Sequence, residues 1–174
     1  MTYQLAIATA DDLEPLTVLI QSYVQNHLDM KQWGGTLGQL QQDHAAGYLA
    51  IMLVRCNGRL VGFGAWETIY DLHHCARGAT VMDLYVDPPF RCRGLGVALI
   101  AGIAAEILKQ GKGFLRGEAI PGSAARLYER VAVRFGSNTY NLSGKALSQL
   151  ASLAGKSPRE MVRGLPTREM NYEN

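Results

Sequence analysis

The hydrophobic positions fall into runs whose period changes along the chain. Tyr3–Ala8 alternates well enough to form an opening strand. Thr9 then stands three residues before Asp12, a capping-box arrangement with Asp in place of Glu. Leu13, Leu16, Ile20, Tyr23, Val24 and His27 follow at helical spacing, so a first helix runs to about His27. Met30 to Gly35 breaks it, and a shorter helix is expected from Leu37 to about His44. Tyr48–Cys56 and Arg59–Tyr70 are apolar, β-branched and aromatic runs. Asn57-Gly58 separates them, the strongest short hairpin signal. Asp71–Gly78 reads as a polar loop, and Ala79–Val86 as a strand closed by Asp87-Pro88-Pro89.

The second half alternates between helix and strand. Leu95–Gln110 is so apolar that it reads as a helix buried against a sheet, ended by Gly111 and Gly113. Phe114–Ile120 reads as a strand, Ser123–Arg134 as a helix and Asn138–Leu142 as a strand. Lys145–Leu153 is an amphipathic helix stopped by Gly155. Its stripe of Ala146, Leu147, Leu150 and Leu153 either covers the sheet or packs on a second subunit, so a homodimer stays open. Ser157-Pro158-Arg159-Glu160 is a capping box with Pro at the first helical position, which predicts a short last helix before Gly164. This element order describes one α+β domain over residues 1–174, with a helical extension from about residue 145 to which the sequence assigns no role. No repeat, linker or low-complexity segment interrupts it.

Composition confirms the class, and charge adds to it. The 174 residues are 48% apolar and 18% charged, which excludes a disordered chain. The formal net charge of +2 hides a split. Residues 1–87 carry nine acids and four bases, whereas residues 88–174 carry six acids and thirteen bases. Arg makes up twelve of the seventeen bases, and its planar fork suits oxyanions, so an anionic ligand held by the second half is expected. A coat for nucleic acid calls for a larger excess and is disfavoured. Cys56, Cys75 and Cys92 show no metal-site or redox spacing, and His73-His74-Cys75 reads as a polar loop and not a metal site. No signal peptide opens the chain, and its longest apolar run, Leu95–Ala105, is too short to span a bilayer. A soluble cytoplasmic protein without membrane partners is expected.

The sharpest local feature is Asp87-Pro88-Pro89-Phe90-Arg91-Cys92-Arg93-Gly94-Leu95-Gly96-Val97, which joins a strand to a helix. Gly94 and Gly96 remove side chains where the helix begins. Main-chain N–H groups of Cys92 to Val97 can converge there on one anion. The helix N-terminus adds partial positive charge, and Arg91 and Arg93 add whole charges, a combination suited to a pyrophosphate. A P-loop would need Lys and Ser or Thr after its second Gly, and a dinucleotide-binding turn a third Gly or Ala; this segment has neither.

Leu84-Tyr85-Val86-Asp87-Pro88-x-x-Arg91-x-x-Gly94-x-Gly96 resembles the acetyl-CoA-binding motif of the GNAT acetyltransferase superfamily almost position for position. Ala124-Ala-Arg-Leu127-Tyr128 resembles the helix that follows in that family. Pro121 stands where the family often has Asn. The element order is similar from Tyr3 to about Leu142. The resemblance implies an α/β/α fold with a central mixed, mostly antiparallel sheet flanked by helices. It also implies an N-acetyltransferase that moves an acetyl group from acetyl-CoA to a primary amine by direct attack in a ternary complex, without a metal.

Site residues follow from the same resemblance. Main-chain groups of Leu84, Tyr85 and Val86 would pair with the pantetheine arm, and one N–H there would donate to the thioester oxygen. Arg91, Cys92, Arg93, Gly94, Leu95, Gly96 and Val97 would hold the pyrophosphate. Tyr128 matches the family's acid for the leaving thiol, since a thiol titrates near about 8.5 and a phenol near about 10. The residues themselves, and not the resemblance, offer the candidate bases Glu67 and Asp83, each an acid inside an apolar run, with Glu67 preferred on the substrate side and Glu118 third. Trp33, Glu67 and Tyr70 are candidates for contact with the acceptor, a small-molecule or protein amine. Arg116, Arg126, Arg130 and Arg134 either bind an acidic substrate or face water. Two other readings stand beside this one: a non-catalytic acyl-CoA-binding sensor, and a toxin-like acetyltransferase acting on charged tRNA or protein amines.

Overall fold

The computed structural model describes residues 2–28, 30–119, 123–135 and 139–172. Its strands are β1 (Tyr3–Ile7), β2 (Ala50–Cys56), β3 (Arg59–Asp71), β4 (Ala76–Val86), β5 (Phe114–Glu118), β6 (Val133–Phe135) and β7 (Thr139–Ser143). They form one sheet in the order β1-β2-β3-β4-β5-β7-β6. β4 and β5 run parallel, and every other neighbouring pair is antiparallel. The helices are α1 (Ala10–His27), α2 (Leu37–Ala45), α3 (Leu95–Lys109), α4 (Ser123–Val131), α5 (Gly144–Ala151) and α6 (Pro158–Gly164). This is the expected α+β architecture.

Two cores lie on opposite faces of the sheet. On one face Leu13, Leu16 and Val24 of α1 pack against Leu53, Phe63, Ala65 and Tyr85, with Leu37 and Leu40 of α2 at the margin. On the other, Leu99, Ile103 and Ile107 of α3 cover Val54, Trp66, Val81 and Leu115, joined by α4, α5 and α6. The apolar run of the α3 sequence is thus explained by burial between the sheet and the tail.

Local chemistry fixes the element starts. The Asp12 carboxylate accepts from the Thr9 N–H at 2.8 Å and from its hydroxyl at 2.9 Å. Arg55 of β2 donates to the same carboxylate at 2.6 Å, which ties the start of α1 to the sheet. Asn57 and Gly58 take φ values of 50° and 79°, the left-handed pair that a two-residue hairpin requires.

Two expected boundaries move. The loop expected over Asp71–Gly78 is shorter, a turn over residues 72–75, because β3 runs to Asp71 and β4 begins at Ala76. Asp71 closes the tight turn between them. Its carboxylate accepts from the His74 N–H at 3.2 Å and pairs with Arg116 at 2.7 Å, and Cys75 takes a φ of 48°. The polar residues read as loop therefore mark a solvent-facing sheet margin. The helix expected to reach Arg134 stops at Val131, and Val133–Phe135 becomes the edge strand β6, paired with β7. Ile120, Pro121 and Asn138 lie outside the described residues.

The tail packs inward. Ala146, Leu147 and Leu150 of α5 are fully buried in the α3 core, so that apolar stripe is covered within the chain. Met161 of α6 is also fully buried. A last 3-10 turn, Arg168–Tyr172, holds Asn171, which donates to the Val131 carbonyl at 3.0 Å and accepts from the Ser143 N–H at 2.9 Å. Among the described residues no helix is long and apolar enough to cross a membrane.

Candidate active site

The sheet opens along one seam. β4 pairs with β5 only over Gly78–Val81, while its pairing with β3 continues to Val86. A register shift leaves Met82 as the extra residue, since Trp66 faces Val81 and Ala65 faces Asp83. Beyond this bulge β4 loses its β5 neighbour. The direction of its free groups follows from one hydrogen bond. Asp87 N–H donates to the Val61 carbonyl at 2.9 Å. Antiparallel alternation then turns the main chain of Tyr85 and Asp83 toward β3, and that of Leu84 and Val86 toward the open seam. The Val86 carbonyl is indeed outward, accepting from Arg91 Nε at 2.8 Å.

The loop after β4 prepares the start of α3. Pro88–Phe90 forms one 3-10 turn, and the chain then uses left-handed backbone at Cys92 (φ 57°) and Gly94 (φ 82°). Cys92 carries a cost on the order of 1–2 kcal/mol for this conformation, whereas Gly94 avoids it. Gly94 has a second reason to lack a side chain: a Cβ there would lie 3.3 Å from Pro158 and Met161 of α6. Gly96 differs, because a Cβ there would meet nothing within 4 Å. The space above it is open, and the first-turn N–H groups of α3 have no carbonyl partner within the helix. Leu95, fully buried, anchors this turn to the core, with Val97 packed beside it.

The rim is cationic. The Arg91 guanidinium lies 5.5 Å from the Tyr85 ring centre, and Arg93 lies 5.8 Å from that of Phe90. Arg59 of β3 also reaches the Phe90 ring, at 5.4 Å, and pairs with Asp87 at 3.2 Å. Arg59 escaped the sequence reading because it is distant in sequence from the loop that it joins.

Tyr128 comes to the seam from α4. A Cβ on Gly117 would lie 2.6 Å from the Tyr128 hydroxyl, so the phenol rests directly on the β5 backbone. Gly117 pairs with Val81, in the last row before the sheet opens. Tyr140 stacks on the ring at 5.5 Å with a 16° interplanar angle. Burial pushes the Tyr128 phenol far above its ordinary value, so it remains a proton-carrying donor. Gly117 was not a sequence candidate, although a lone Gly within a strand can signal close approach of this kind.

The opposite face supplies the acids. Asp83 points to the α1 side, where its carboxylate accepts from the Tyr23 hydroxyl at 2.7 Å. Desolvation, then that hydrogen bond to Asp83, raises the Tyr23 phenol and keeps it a donor. Both residues line a pocket of about 290 Å³ with Leu16, Ile20, Trp33, Leu40 and Phe63. Trp33 is fixed on Gly35, whose Cβ would lie 2.7 Å from the indole, and the Trp33 main-chain N–H donates to Gln21 Oε1 at 3.0 Å. Glu67 is exposed on β3, two residues past Ala65 on the same sheet face and outside the pocket lining. Tyr70 stands 57% exposed near the β3–β4 turn, also away from it. Glu118 closes β5 on the far side of the seam, accepting from Thr139 at 3.5 Å. The structure thus brings Asp83 and Trp33 together and leaves Tyr70 apart. Tyr23 was read only as a helical core position, because its partner lies 60 residues away in sequence.

Other candidates have structural partners. Arg116 pairs with Asp71 and covers the Phe114 ring, Arg130 donates to the Val162 carbonyl at 3.3 Å, and Arg134 covers Tyr140. Among the described residues no three His, Cys, Asp or Glu side chains gather as a metal site.

The sequence profile of the Acetyltransferase (GNAT) family matches residues 12–132. The chain belongs to the GNAT acetyltransferase family. GNAT acetyltransferases use acetyl-CoA, and the open seam and bare helix start described above suit its extended arm and pyrophosphate. Solved structures share the fold. An aminoglycoside acetyltransferase from an uncultured soil metagenomic sample superposes with a TM-score of 0.70 at 17% identity, over 79% of this chain and 95% of that one. The ribosomal-protein-alanine N-acetyltransferase of Brucella melitensis biovar Abortus 2308 gives a TM-score of 0.66 at 21% identity, over 79% and 95%. Salmonella typhimurium yncA, solved with its cofactor acetyl-CoA, gives 0.62 at 15% identity, over 82% and 94%. At these identities the likeness is one of fold. Among curated proteins no sequence matches.

Proposed function

We propose that this GNAT acetyltransferase is an N-acetyltransferase that moves the acetyl group of acetyl-CoA to a primary amine within a ternary complex. The observation that carries the reading is the convergence on one seam of the bare helix start at Gly96, the outward main chain of Leu84 and Val86, and the Tyr128 hydroxyl. The names of its structural neighbours, which act on aminoglycosides and ribosomal-protein alanine, agree with nitrogen as the acceptor atom.

Acetyl-CoA supplies an activated acetyl group: the amine nitrogen bonds to the carbonyl carbon, the carbon–sulfur bond breaks, and the amine's proton balances departure of the thiol. The N–H groups of Cys92 to Val97, with Arg91 and Arg93, hold the pyrophosphate. The Leu84 and Val86 main chain aligns the arm as an added strand, and an N–H there stabilises negative charge on the carbonyl oxygen. Tyr128 hydrogen-bonds the departing sulfur. Its raised pKa makes it a donor to the thiolate and not a full proton source, because the thiol is the stronger acid. Asp83, at the acceptor side, orients the nitrogen and receives its proton directly or through water.

The test is release of CoA thiol on addition of amines, followed colorimetrically with wild type and Tyr128→Phe. Amine-dependent release that falls in the variant supports the reading. Tight acetyl-CoA binding with background release across a broad panel points instead to a non-catalytic acyl-CoA sensor. A mobility shift with charged tRNA at low salt, lost steeply as salt rises, would turn the reading toward RNA-borne amines.

A further inference from the structure

The pocket between α1, the Trp33 loop, α2 and the sheet has an unusual balance of chemistry. Leu16, Ile20, Leu40 and Phe63 make it apolar, and Asp83 is the one charged residue in its lining. Among the described residues Asp83 forms no ion pair, and its carboxylate accepts from the neutral Tyr23 hydroxyl. A carboxylate at an apolar wall favours a single cationic group, and the hydrocarbon around it favours an apolar body behind that cation. Size narrows the choice. A volume of about 290 Å³ equals roughly ten liquid-water volumes, which is room for a ligand of about ten heavy atoms.

Position connects the pocket to the reaction. Asp83 precedes Leu84, whose main chain faces the open seam, and it lies two residues past Val81, where Tyr128 rests on the paired Gly117. Because Met82 is the extra residue of the bulge, Asp83 stands only one ladder row beyond Val81. A nitrogen held at Asp83 therefore sits beside the seam while its carbon skeleton extends under α1 and α2.

We propose that the acceptor is a small apolar primary amine, an arylalkyl or alkyl amine with one cationic group, seated in this pocket with its nitrogen on Asp83. Tyr23 is a positioning residue that fixes the Asp83 carboxylate. The proposal rests on the N-acetyltransferase reading and names its substrate class. A polyhydroxylated or multiply cationic amine fits poorly, because the lining offers one carboxylate and few other polar groups.

The experiment compares phenethylamine and tryptamine with spermidine, kanamycin and an alanine-terminated peptide at saturating acetyl-CoA. The aryl amines are expected to show a kcat/KM at least tenfold above the others. Asp83→Asn is expected to raise their KM at least tenfold while leaving acetyl-CoA affinity within twofold. Tyr23→Phe should raise KM severalfold with a smaller change in kcat. Preference for spermidine, kanamycin or the peptide, with the aryl amines inert, overturns the proposal and leaves the acetyltransferase reading standing. A binding arm separates the two failures. N,N-dimethylphenethylamine cannot give a neutral amide, and it should quench Trp33 fluorescence saturably, with the signal absent in Trp33→Phe. If no amine is turned over yet this quenching persists, the acetyltransferase reading falls and the pocket's ligand class stands. If quenching is absent in the folded wild type, the pocket assignment falls.

Discussion

Tyr128 and Gly117 act as one unit, because the phenol is placed by the absence of a side chain beneath it. Tyr128→Phe is expected to lower kcat by about 10²-fold with unchanged acetyl-CoA affinity. Gly117→Ala keeps the hydroxyl but puts a Cβ within 2.6 Å of it, so a comparable fall in kcat is expected from displacement alone. Steady-state kinetics beside calorimetric titration of acetyl-CoA checks both. The raised Tyr128 pKa also sets the pH profile. The donor form persists below the raised value, so kcat/KM should rise with pH as the amine loses its proton, without a descending limb from Tyr128 up to about pH 10. A descending limb near pH 9 that disappears in Tyr128→Phe would contradict this. At this scale the sequence offered Tyr128 as a candidate through its motif and Asp83 through its place before Leu84, and the structure sets the first on Gly117 and the second in the pocket under α1. The sequence hid Tyr23 and Gly117, whose roles depend on contacts made only when distant elements meet.

The loop before α3 separates two kinds of glycine. Gly94 is held by a φ of 82° and by α6 behind it, so Gly94→Ala should cost about 1–2 kcal/mol of stability. Gly96 faces open space, so Gly96→Ala should keep or slightly raise stability while weakening acetyl-CoA at least tenfold. Thermal unfolding and calorimetry on the same samples distinguish these outcomes; equal losses of stability would contradict the placement. The start of α1 offers a second test. The Thr9 N–H foremost, together with its hydroxyl and Arg55, holds the Asp12 carboxyl below its ordinary value against the cost of burial. A depressed carboxylate stabilises the fold above its unfolded pKa and ceases to do so as pH falls through the folded one. Asp12→Ala should therefore cost about 1 kcal/mol at pH 7 and less at pH 3, measured by urea unfolding. Caps and the Asn57-Gly58 turn were legible because their chemistry is local. The turn after Asp71 was legible but its bounds were not, since polar residues mark a loop and a solvent-facing strand margin equally well.

Across the whole molecule, the tail supports the loop before α3. α5 and α6 close the α3 face, and fully buried Met161 lies under Gly94. Met161→Ala is expected to cost about 2–5 kcal/mol and to weaken acetyl-CoA binding as the loop loses its support. Unfolding with and without acetyl-CoA measures both effects. The sequence showed that the tail was amphipathic but not which surface it would cover, because a hydrophobic stripe does not name its partner. The mixed, mostly antiparallel sheet was expected only through the family resemblance, and its strand order was not legible, since the β5–β7 pairing skips a strand. The charge asymmetry also takes a structural form. Of the second-half bases, Arg91 and Arg93 flank the start of α3, joined there by Arg59 of the first half, while Arg116 and Arg130 bind within the chain.

The central claim is amine acetylation at the β4–β5 seam, and the most direct measurement is amine-dependent release of CoA thiol from acetyl-CoA. The account predicts release matched one to one by acetylated amine in mass spectrometry, with a fall of about 10²-fold in Tyr128→Phe. Background release across the amine panel, from a folded protein that binds acetyl-CoA, would contradict it.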